Sequence, residues 1–490
     1  MIEVWVSKEV FRYDADSLVK AFFPGRVVKN YLLENVADDI LRSEIRGEDT
    51  KTIVIEIKDA GCLSGADKSD LRNRFKRELY RELKQATGKD LPWGALTGVR
   101  PVRLASKLLN ENTAPAAAEA ALQELYFVSE EKASLAVGIA QRQREVLARV
   151  HPETPSGGVL PSYSLYVGIP FCPSRCTYCS FASYPMEKWN DRVDEYFRAL
   201  KKELEFVRDI KGGEAPDTIY IGGGTPTALN EEALEKLLQL IAANIKTAGA
   251  IEYTLEAGRP DSITRDKLRI MKSYGIGRIC VNPQTMNDRT LRLIGRHHSA
   301  DNIRNAFALA REEGFENINM DMILGLPGET EADVKYTLDE IARLGPDDLT
   351  VHSLALKRGS AMKEEWTEEV LAGEVSEKKV PEGDISGMIT LASEAAESMG
   401  LKPYYLYRQK NISGNFENTG FARPGAECLY NMVIMEEVQS LIACGAGTVS
   451  KRVSPDGRKI KRCDTPKDIE QYLSRIDEMV ERKRLLFEES

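Results

Sequence analysis

The middle of the chain, from residue 163 to about 360, alternates between short apolar segments and longer amphipathic ones. Six apolar, β-rich runs recur there, namely SLYVGIPF, DTIYIGGG, EYTLEA, RICVNPQT, NINMDMILGLP and DLTVHSLA. The stretches between them place apolar residues at helical spacing over roughly 10–18 residues. Strands that alternate with helices in this way predict parallel βαβ units. Six units predict an α/β fold, a partial (β/α)6 TIM-like barrel open enough to admit a large substrate.

Different patterns flank this barrel region. Residues 1–150 begin with the β-like runs IEVWVS and TIVIEIKD and continue as helical stretches, which predicts an α+β N-terminal domain of unknown role. Residues 151–162, HPETPSGGVLPS, concentrate Pro, Gly and Ser and indicate a linker. Residues 361–490 mix a charged segment, a helix near 384–400, the aromatic strand PYYLYR and a final amphipathic helix over 466–487. We expect this mixed C-terminal extension to cover a bound substrate.

Polar and glycine-rich residues follow several predicted strands at the point where each strand ends. They include the loop from 222 to 227 and the side chains of Glu256, Gln284 and Asp321. The carboxyl ends of parallel barrel strands share one rim, and the active sites of such barrels lie on that rim. The sequence therefore predicts a site that gathers these residues.

The overall composition narrows the choice of partners. Apolar residues make up 42% of the 490 residues and charged residues 29%, as in ordinary globular proteins. With 67 basic and 76 acidic residues the net charge is −9, which disfavours nucleic acid as a partner. The chain lacks an apolar run of about 18 residues, and MIEVWVSKEV lacks the pattern of a signal peptide. We therefore predict a cytoplasmic protein with no membrane span and no nucleic-acid partner.

The eight cysteines are unevenly distributed. Three lie in the short segment CPSRCTYC, where three residues separate Cys172 from Cys176 and two separate Cys176 from Cys179. Thiolates spaced so closely on one loop can converge on a small inorganic centre. The other cysteines occur singly and are interpreted as small buried apolar side chains: Cys62, Cys280, Cys428, Cys444 and Cys463.

The spacing leaves two kinds of inorganic centre open. Structural zinc sites take four ligands, whereas this chain has neither a second CxxC nor an HxxxH pattern and only four histidines. A catalytic zinc with three cysteine ligands remains compatible with the spacing. A [4Fe–4S] cluster takes one thiolate per iron, so three cysteines leave one iron open to a bound small molecule. Three thiols packed as core residues would need neither centre.

The CxxxCxxC motif, with an aromatic residue before its last cysteine and after the first barrel strand, resembles the radical S-adenosylmethionine superfamily. The resemblance implies a [4Fe–4S] cluster on the three cysteines and a methionine moiety that chelates the fourth iron. Reductive cleavage of that cofactor yields a 5′-deoxyadenosyl radical. The resemblance narrows to the oxygen-independent coproporphyrinogen oxidase branch, with its HemN- and HemW-like proteins, and the long N-terminal extension is most like HemZ-type members. The motifs that carry it, in order, are YVGIPFCPSRCTYCSF, IGGGTPT, LEAGRPDSIT, NPQTMND, IGRHHS and DMILGLPGET.

The glycine-rich loop after the second barrel strand is one expected contact of the cofactor. Successive glycines permit unusual φ angles and let the backbone approach a ligand closely. The resemblance places Gly223, Gly224 and Thr225 against the methionine portion of S-adenosylmethionine, with Tyr166 as an aromatic neighbour. By itself such a loop is more often a structural turn, and Tyr166 is also compatible with core packing.

Four further residues match cofactor-binding positions of the family. The resemblance assigns Glu256 to the amino group or ribose, and Asp321 to a ribose hydroxyl. Gln284 and Arg296 match positions that contact the ribose and the methionine carboxylate. A guanidinium suits the carboxylate because its planar fork binds two oxygens. For each residue, an ordinary ion pair is the alternative role.

The reaction implied by the resemblance is the oxidative decarboxylation of two propionates of coproporphyrinogen III to vinyl groups, forming protoporphyrinogen IX in haem biosynthesis. A one-electron donor such as a flavodoxin or ferredoxin is the implied partner. Propionates require cations, and we select Arg175 in the cysteine loop and Arg423 in GFARPG as substrate-binding candidates. The other arginines considered are Arg100, Arg103 and Arg408.

Two departures keep other functions open. The branch commonly has histidine where this chain has Gly168. Haem chaperones of the same branch carry an HNxxYW segment, whereas residues 430–435 read YNMVIM and lack its histidine. A haem-binding or haem-transfer protein and another radical enzyme acting on tetrapyrroles are therefore the alternatives. A radical enzyme that modifies tRNA is disfavoured by the acidic charge balance.

Overall fold

A computed structural model describes residues 1–24, 26–47, 50–58, 65–98, 100–110, 113–155, 157–355, 360–362, 364, 384–408 and 416–488. The chain divides into two compact units. One comprises Met1–Gln141 with Leu406–Asn418, and the other comprises Arg142–Tyr405 with Thr419–Ser490. The domain borders anticipated at 151–162 and 361 stay predictions, and most of the charged segment after residue 360 lies outside the described residues. Within the described ranges, no helix is both long and apolar enough to cross a membrane.

The first unit is α+β and contains a four-stranded sheet with strand order β2-β1-β3-β4. Every second residue of β1 is buried, and these residues share an apolar core with α1 and α2. Three more helices surround Trp93, whose indole donates a 2.7 Å hydrogen bond to Glu417. The elements of this unit, part of α5 excepted, are β1 (Ile2–Val6), α1 (Arg12–Phe22), β2 (Val28–Leu32), β3 (Leu41–Gly47), β4 (Thr50–Ile57), α2 (Gly65–Thr87), α3 (Pro101–Asn110), α4 (Pro115–Tyr126) and α5 (Glu130–Val150).

The second unit contains the predicted alternation of strands and helices. Its strands are β5 (Tyr163–Ile169), β6 (Phe171–Cys172), β7 (Tyr184–Pro185), β8 (Thr218–Gly223), β9 (Glu252–Gly258), β10 (Arg278–Val281), β11 (Asn317–Leu324) and β12 (Asp348–Ser353). The helices between them are α6 (Val193–Lys211), α7 (Glu231–Asn244), α8 (Arg265–Ser273), α9 (Asp288–Leu293), α10 (Ala300–Glu312) and α11 (Glu331–Leu344). Ser299 caps α10 by accepting a hydrogen bond from the backbone N–H of Asn302.

The sheet of this unit follows the chain in the order β5, β8, β9, β10, β11, β12. Each neighbouring pair in this series is parallel. The strands are buried almost without interruption, as expected of a parallel sheet flanked by helices. This arrangement confirms the predicted partial barrel of six βα units, and the described residues do not close it into a full barrel.

Strands from the C-terminal part of the chain extend both edges of the barrel. At one edge β14 (Glu417–Ala422) pairs antiparallel with β12, next to β13 (Lys402–Arg408). At the other edge β15 (Ser440–Cys444) pairs parallel with β5, followed by β16 (Val449–Val453) and β17 (Ile460–Asp464). The remaining helices span Ile385–Ser398, Leu429–Glu436, Ile469–Ser474 and Ile476–Glu488. The final amphipathic stretch is therefore two helices and not the single one predicted.

A fully buried ion pair attaches the last helix to the barrel. The Lys483 ammonium contacts the Glu203 carboxylate of α6, and both side chains are 0% exposed. Glu203 also accepts hydrogen bonds from the Gly445 backbone at 2.6 Å and from the Tyr472 hydroxyl at 2.7 Å. Lys483 donates to the carbonyl of Ala443 in β15. Because β15 pairs with β5, this network supports the strand that leads into the cysteine loop.

Candidate active site

The three clustered cysteines lie on one anchored loop at the carboxyl rim of the barrel. Cys172 ends the short strand β6, which pairs with β7, so the intervening loop returns to its starting point. Within the loop, the Cys179 backbone N–H donates to the Cys176 carbonyl at 3.1 Å. The Thr177 N–H donates to the Ile294 carbonyl at 3.1 Å and fixes the loop to the segment after α9. Cys172 is buried and the other two cysteines are partly exposed.

The thiols of Cys172 and Cys179 have raised pKa values and favour the protonated form until a metal cation binds. Burial raises the pKa of Cys172 to about 12 and also raises the pKa of Cys179. Thiols with raised pKa values stay protonated until a cation displaces the proton. Among the described residues, no three His, Cys, Asp or Glu side chains converge tightly enough to hold a single ion.

The glycine loop packs directly against the first cysteine. The Gly224 N–H donates to the Ile169 carbonyl at 2.8 Å, and the Thr225 N–H donates to the Phe171 carbonyl at 2.7 Å. A Cβ placed on Gly224 would lie 2.5 Å from the Phe171 carbonyl oxygen and 3.0 Å from Cys172 Sγ. Thr225 Oγ1 lies 3.7 Å from the same sulfur. The close approach that the glycine run predicted is therefore an approach to the cysteine loop.

An aromatic stack lines the barrel beside this loop. Tyr166 and Tyr220, on neighbouring strands, have ring centroids 6.1 Å apart, and Tyr430 stacks on Tyr220 at 4.4 Å. The Tyr166 hydroxyl would lie 3.4 Å from a Cβ on Gly223, so Tyr166 adjoins the glycine loop. Tyr220 and Tyr430 were not among the predicted site residues. The alternation of TIYI places Tyr220 in register with Tyr166, which is the signal that could have found it.

The pKa values of two carboxylates inside the barrel, Glu256 and Asp321, are shifted in opposite directions. Desolvation by the barrel wall, with Asp321 as a nearby negative charge, raises the pKa of Glu256 to about 7. Tyr220 opposes this shift by donating a 2.6 Å hydrogen bond to Glu256. Burial also acts against ionisation of Asp321, but His352 and Asn319 outweigh it and hold the pKa of Asp321 below its ordinary value. One carboxylate is thus ionised near neutral pH while the other can exchange a proton.

Gln284 and Arg296 each present an unpaired polar atom in a buried position. Gln284 has a φ of +66°, a strained backbone conformation that its N–H stabilises with a 2.9 Å hydrogen bond to the Asp321 carbonyl. In the described part of the chain, its Oε1 has no hydrogen-bond partner. Arg296 is 5% exposed and donates to the Asn282 carbonyl, while its Nε is likewise unpartnered among the described residues. Buried polar atoms without partners mark places where a ligand can complete the hydrogen bonding.

The two substrate candidates have different locations. Arg175 is exposed on the cysteine loop, with its carbonyl against Gly295. Arg423 lies at the amino end of β12, where its guanidinium is 3.6 Å from Asp347. The cysteines lie at the carboxyl end of the same sheet, so the structure brings Arg175 to the site and does not bring Arg423 there.

Position 168 explains one departure from the family pattern. Gly168 lies in β5, and a Cβ there would be 2.6 Å from the Thr448 methyl group and 3.5 Å from the Cys444 carbonyl. Thr448 therefore occupies the space that a histidine side chain would need.

Arg259 is a site residue that the sequence analysis missed. It follows β9, is 3% exposed, and places one guanidinium nitrogen 4.0 Å from Cys176 Sγ. The motif LEAGRPDSIT contains it, but nothing in the sequence indicates that its side chain reaches the cysteine loop.

Comparisons with known proteins identify the class to which this fold and site belong. The model of the radical SAM superfamily matches residues 166–341. The structure is also similar to that of coproporphyrinogen III oxidase (HemN) from Escherichia coli, which is described as a radical SAM enzyme. The similar part covers 66% of this chain and 71% of that one. Its TM-score of 0.51 with 24% sequence identity shows a shared fold.

Two curated relatives place the chain more narrowly. The oxygen-independent coproporphyrinogen-III oxidase-like protein HemZ of Bacillus subtilis is 38% identical over 83% of this chain and 79% of its own length. The heme chaperone HemW of the same organism is 39% identical over 40% of this chain and 51% of its own length. The chain therefore belongs to the radical SAM superfamily, in its group of oxygen-independent coproporphyrinogen-III oxidase-like proteins.

The cofactors of this family are a [4Fe–4S] cluster and S-adenosylmethionine. The site fits them on two observations: three cysteines on one anchored loop, and unpartnered buried atoms on Gln284 and Arg296. The cysteines would hold three irons. The assignment of the individual nucleotide contacts stays a prediction.

Proposed function

We propose that this protein catalyses the oxygen-independent oxidative decarboxylation of two propionates of coproporphyrinogen III to the vinyl groups of protoporphyrinogen IX. The observation that carries the proposal is the packing of Cys172 against the glycine loop, with Glu256 on β9 and Asp321 on β11 of the same sheet. This arrangement supports radical chemistry at the carboxyl rim. The similarity to HemZ supports the choice of substrate.

The proposed reaction balances as follows for each propionate. With one electron from an external donor, the cofactors would supply a 5′-deoxyadenosyl radical and release methionine. Transfer of a hydrogen atom from the β-carbon of the propionate would convert that radical to 5′-deoxyadenosine. The bond to the carboxylate carbon then breaks, carbon dioxide leaves and a vinyl group forms. The one remaining electron passes to an external one-electron acceptor.

The chain's own residues bind and shield the reacting groups. Asp321, already ionised, is suited to accept hydrogen bonds from ribose hydroxyls, and the Arg296 fork is suited to the methionine carboxylate. The stack of Tyr166, Tyr220 and Tyr430 forms an aromatic wall that keeps water from the radical site. Arg175, exposed on the cysteine loop, is the cation proposed to bind a substrate propionate.

The test is anaerobic reconstitution with iron and sulfide, followed by incubation with S-adenosylmethionine, dithionite and coproporphyrinogen III. Mass spectrometry should detect 5′-deoxyadenosine and a porphyrinogen that has lost two carboxyl groups as carbon dioxide. A Cys176→Ala variant should form neither product. In Arg175→Gln we expect a raised KM with little change in kcat, because only substrate binding would be weakened.

The other outcomes discriminate between functions. Formation of 5′-deoxyadenosine without decarboxylation would retain the radical chemistry and exclude this substrate. The similarity to HemW motivates a second arm, in which haem is added to the reconstituted protein. Stoichiometric haem binding without any turnover of coproporphyrinogen III would favour haem transfer.

A further inference from the structure

Arg259 connects the cysteine loop to Asp261, which follows β9, and through it to His298, which precedes α10. Its Nη1 donates to the Ser174 hydroxyl at 2.8 Å and to the Ser174 carbonyl at 3.2 Å, and it lies 4.0 Å from Cys176 Sγ. Its Nε and Nη2 donate to the two oxygens of Asp261 at 3.0 and 2.8 Å. The guanidinium is thus held from both sides, with one nitrogen directed at a cluster ligand.

Asp261, the negative partner of Arg259, also contacts a histidine. Asp261 Oδ1 lies 3.4 Å from Nδ1 of His298, whose side chain is 0% exposed. Burial lowers the pKa of His298, so its ring is neutral and Asp261 keeps its negative charge available to Arg259. The Arg259 charge near Cys176 is therefore partly compensated.

We propose that Arg259 is a positioning residue that sets the reduction potential of the iron–sulfur cluster through its contacts with Cys176 and Ser174. Reduction adds a negative charge to the cluster, and a nearby cation that donates toward a thiolate sulfur stabilises the reduced form. Arg259 raises the potential in this way, and Asp261 moderates the effect. The inference depends on the cluster alone and holds whichever porphyrin the enzyme uses.

The two partners provide variants with effects of opposite sign. Arg259→Gln removes the cation and should shift the midpoint potential to a more negative value. A tenfold fall in the reduced-to-oxidised ratio at fixed ambient potential corresponds to about 59 mV for one electron. Asp261→Asn leaves the cation uncompensated and should shift the potential in the positive direction. Arg259→Lys keeps the positive charge, so its potential should lie closer to that of the wild type than to that of Arg259→Gln.

The measurement is a redox titration of the reconstituted protein, followed by electron paramagnetic resonance, with iron and sulfide content determined in each sample. Arg265→Gln, which removes an exposed cation paired with Glu312 and Glu313, is the control and should leave the potential unchanged. Potentials that are equal in wild type, Arg259→Gln and Asp261→Asn would overturn the proposal. Shifts of the same sign in both variants would also overturn it, because a purely structural role of these residues does not predict potential shifts of opposite sign. If Arg259→Gln holds no iron, the Asp261→Asn variant alone tests the proposal: a positive shift of its potential supports it, and no shift or a negative shift overturns it.

Discussion

The Tyr220 hydroxyl donates a 2.6 Å hydrogen bond to Glu256 across two neighbouring parallel strands. The donor stabilises the ionised carboxylate, while the enclosing barrel favours the protonated form. The balance between the two places the pKa of Glu256 at about 7. Small changes near neutral pH therefore alter the charge that a bound nucleotide would meet.

The affinity for S-adenosylmethionine should rise with pH through neutrality. If Glu256 accepts hydrogen bonds from the ligand, only its ionised form binds well. With the pKa at about 7, the ionised fraction grows roughly tenfold between pH 6 and pH 8, and the apparent Kd falls by a similar factor. Equilibrium dialysis with the reconstituted protein measures this change.

Two variants isolate the contribution of Glu256. Glu256→Gln should remove most of the pH dependence. Tyr220→Phe removes the bond that lowers the pKa, so the rise in affinity should move to higher pH. An unchanged pH profile in Glu256→Gln would assign the dependence to another group.

Replacement of Gly224 by alanine should prevent assembly of the cofactor site. The added Cβ would lie 2.5 Å from the Phe171 carbonyl oxygen and 3.0 Å from Cys172 Sγ, so either the loop or the cysteine must move. We expect at least a tenfold loss of 5′-deoxyadenosine formation, with reduced iron content. Gly277→Ala is the matched control, because nothing lies within 4 Å of its Cβ. Equal activity in the two variants would contradict a role for close packing at Gly224.

Replacement of Lys483 by methionine should destabilise the barrel strongly. It leaves the Glu203 carboxylate buried without its counter-charge, a change that costs about 3–5 kcal/mol in comparable pairs. Lys202→Met is the control, because Lys202 pairs with Asp477 on the surface and such pairs contribute about 0–1 kcal/mol. Urea unfolding followed by circular dichroism compares the variants. Similar unfolding midpoints for both would show that the buried pair is dispensable.

Gly168 and Thr448 should behave as a coupled pair. Gly168→Ala places a methyl group 2.6 Å from the Thr448 methyl, and overpacking of this kind costs typically about 1–3 kcal/mol. Thr448→Ser removes the opposing methyl but keeps the hydroxyl that donates to the Gly445 carbonyl. The double variant should therefore recover much of the lost stability in a double-mutant cycle. Additive losses would place the strain elsewhere.

The alternation of apolar and amphipathic segments in the sequence was sufficient to predict the partial barrel. Apolar runs bounded by polar residues predicted all six parallel strands. Glu256 and Gln284 lie at the rim because the carboxyl ends of parallel strands meet there, whereas Arg423 lies at the opposite end of the sheet. The cysteine spacing identified the loop, and the structure adds its attachment to Gly224 and Ile294.

The features that the sequence analysis missed all depend on distant partners. Lys483 lies far along the chain from Glu203, and no spacing rule connects the two residues. Strands β15 to β17 are short, and their place beside β5 follows from packing and not from periodicity. Arg259 looks like an ordinary ion-pair partner of Asp261 in the sequence, and only the fold shows its approach to Cys176.

The Glu203–Lys483 pair also has a consequence for the order of events during biosynthesis. The cysteine loop emerges from the ribosome about 300 residues before Lys483, the partner of Glu203. Gly445 and Tyr472, which also donate hydrogen bonds to Glu203, belong to the same late segment. Until that segment has been made, β5 also lacks β15, its parallel partner at this edge of the sheet. The edge of the barrel that supports the cysteine loop is therefore completed only by about the last fifty residues of the chain.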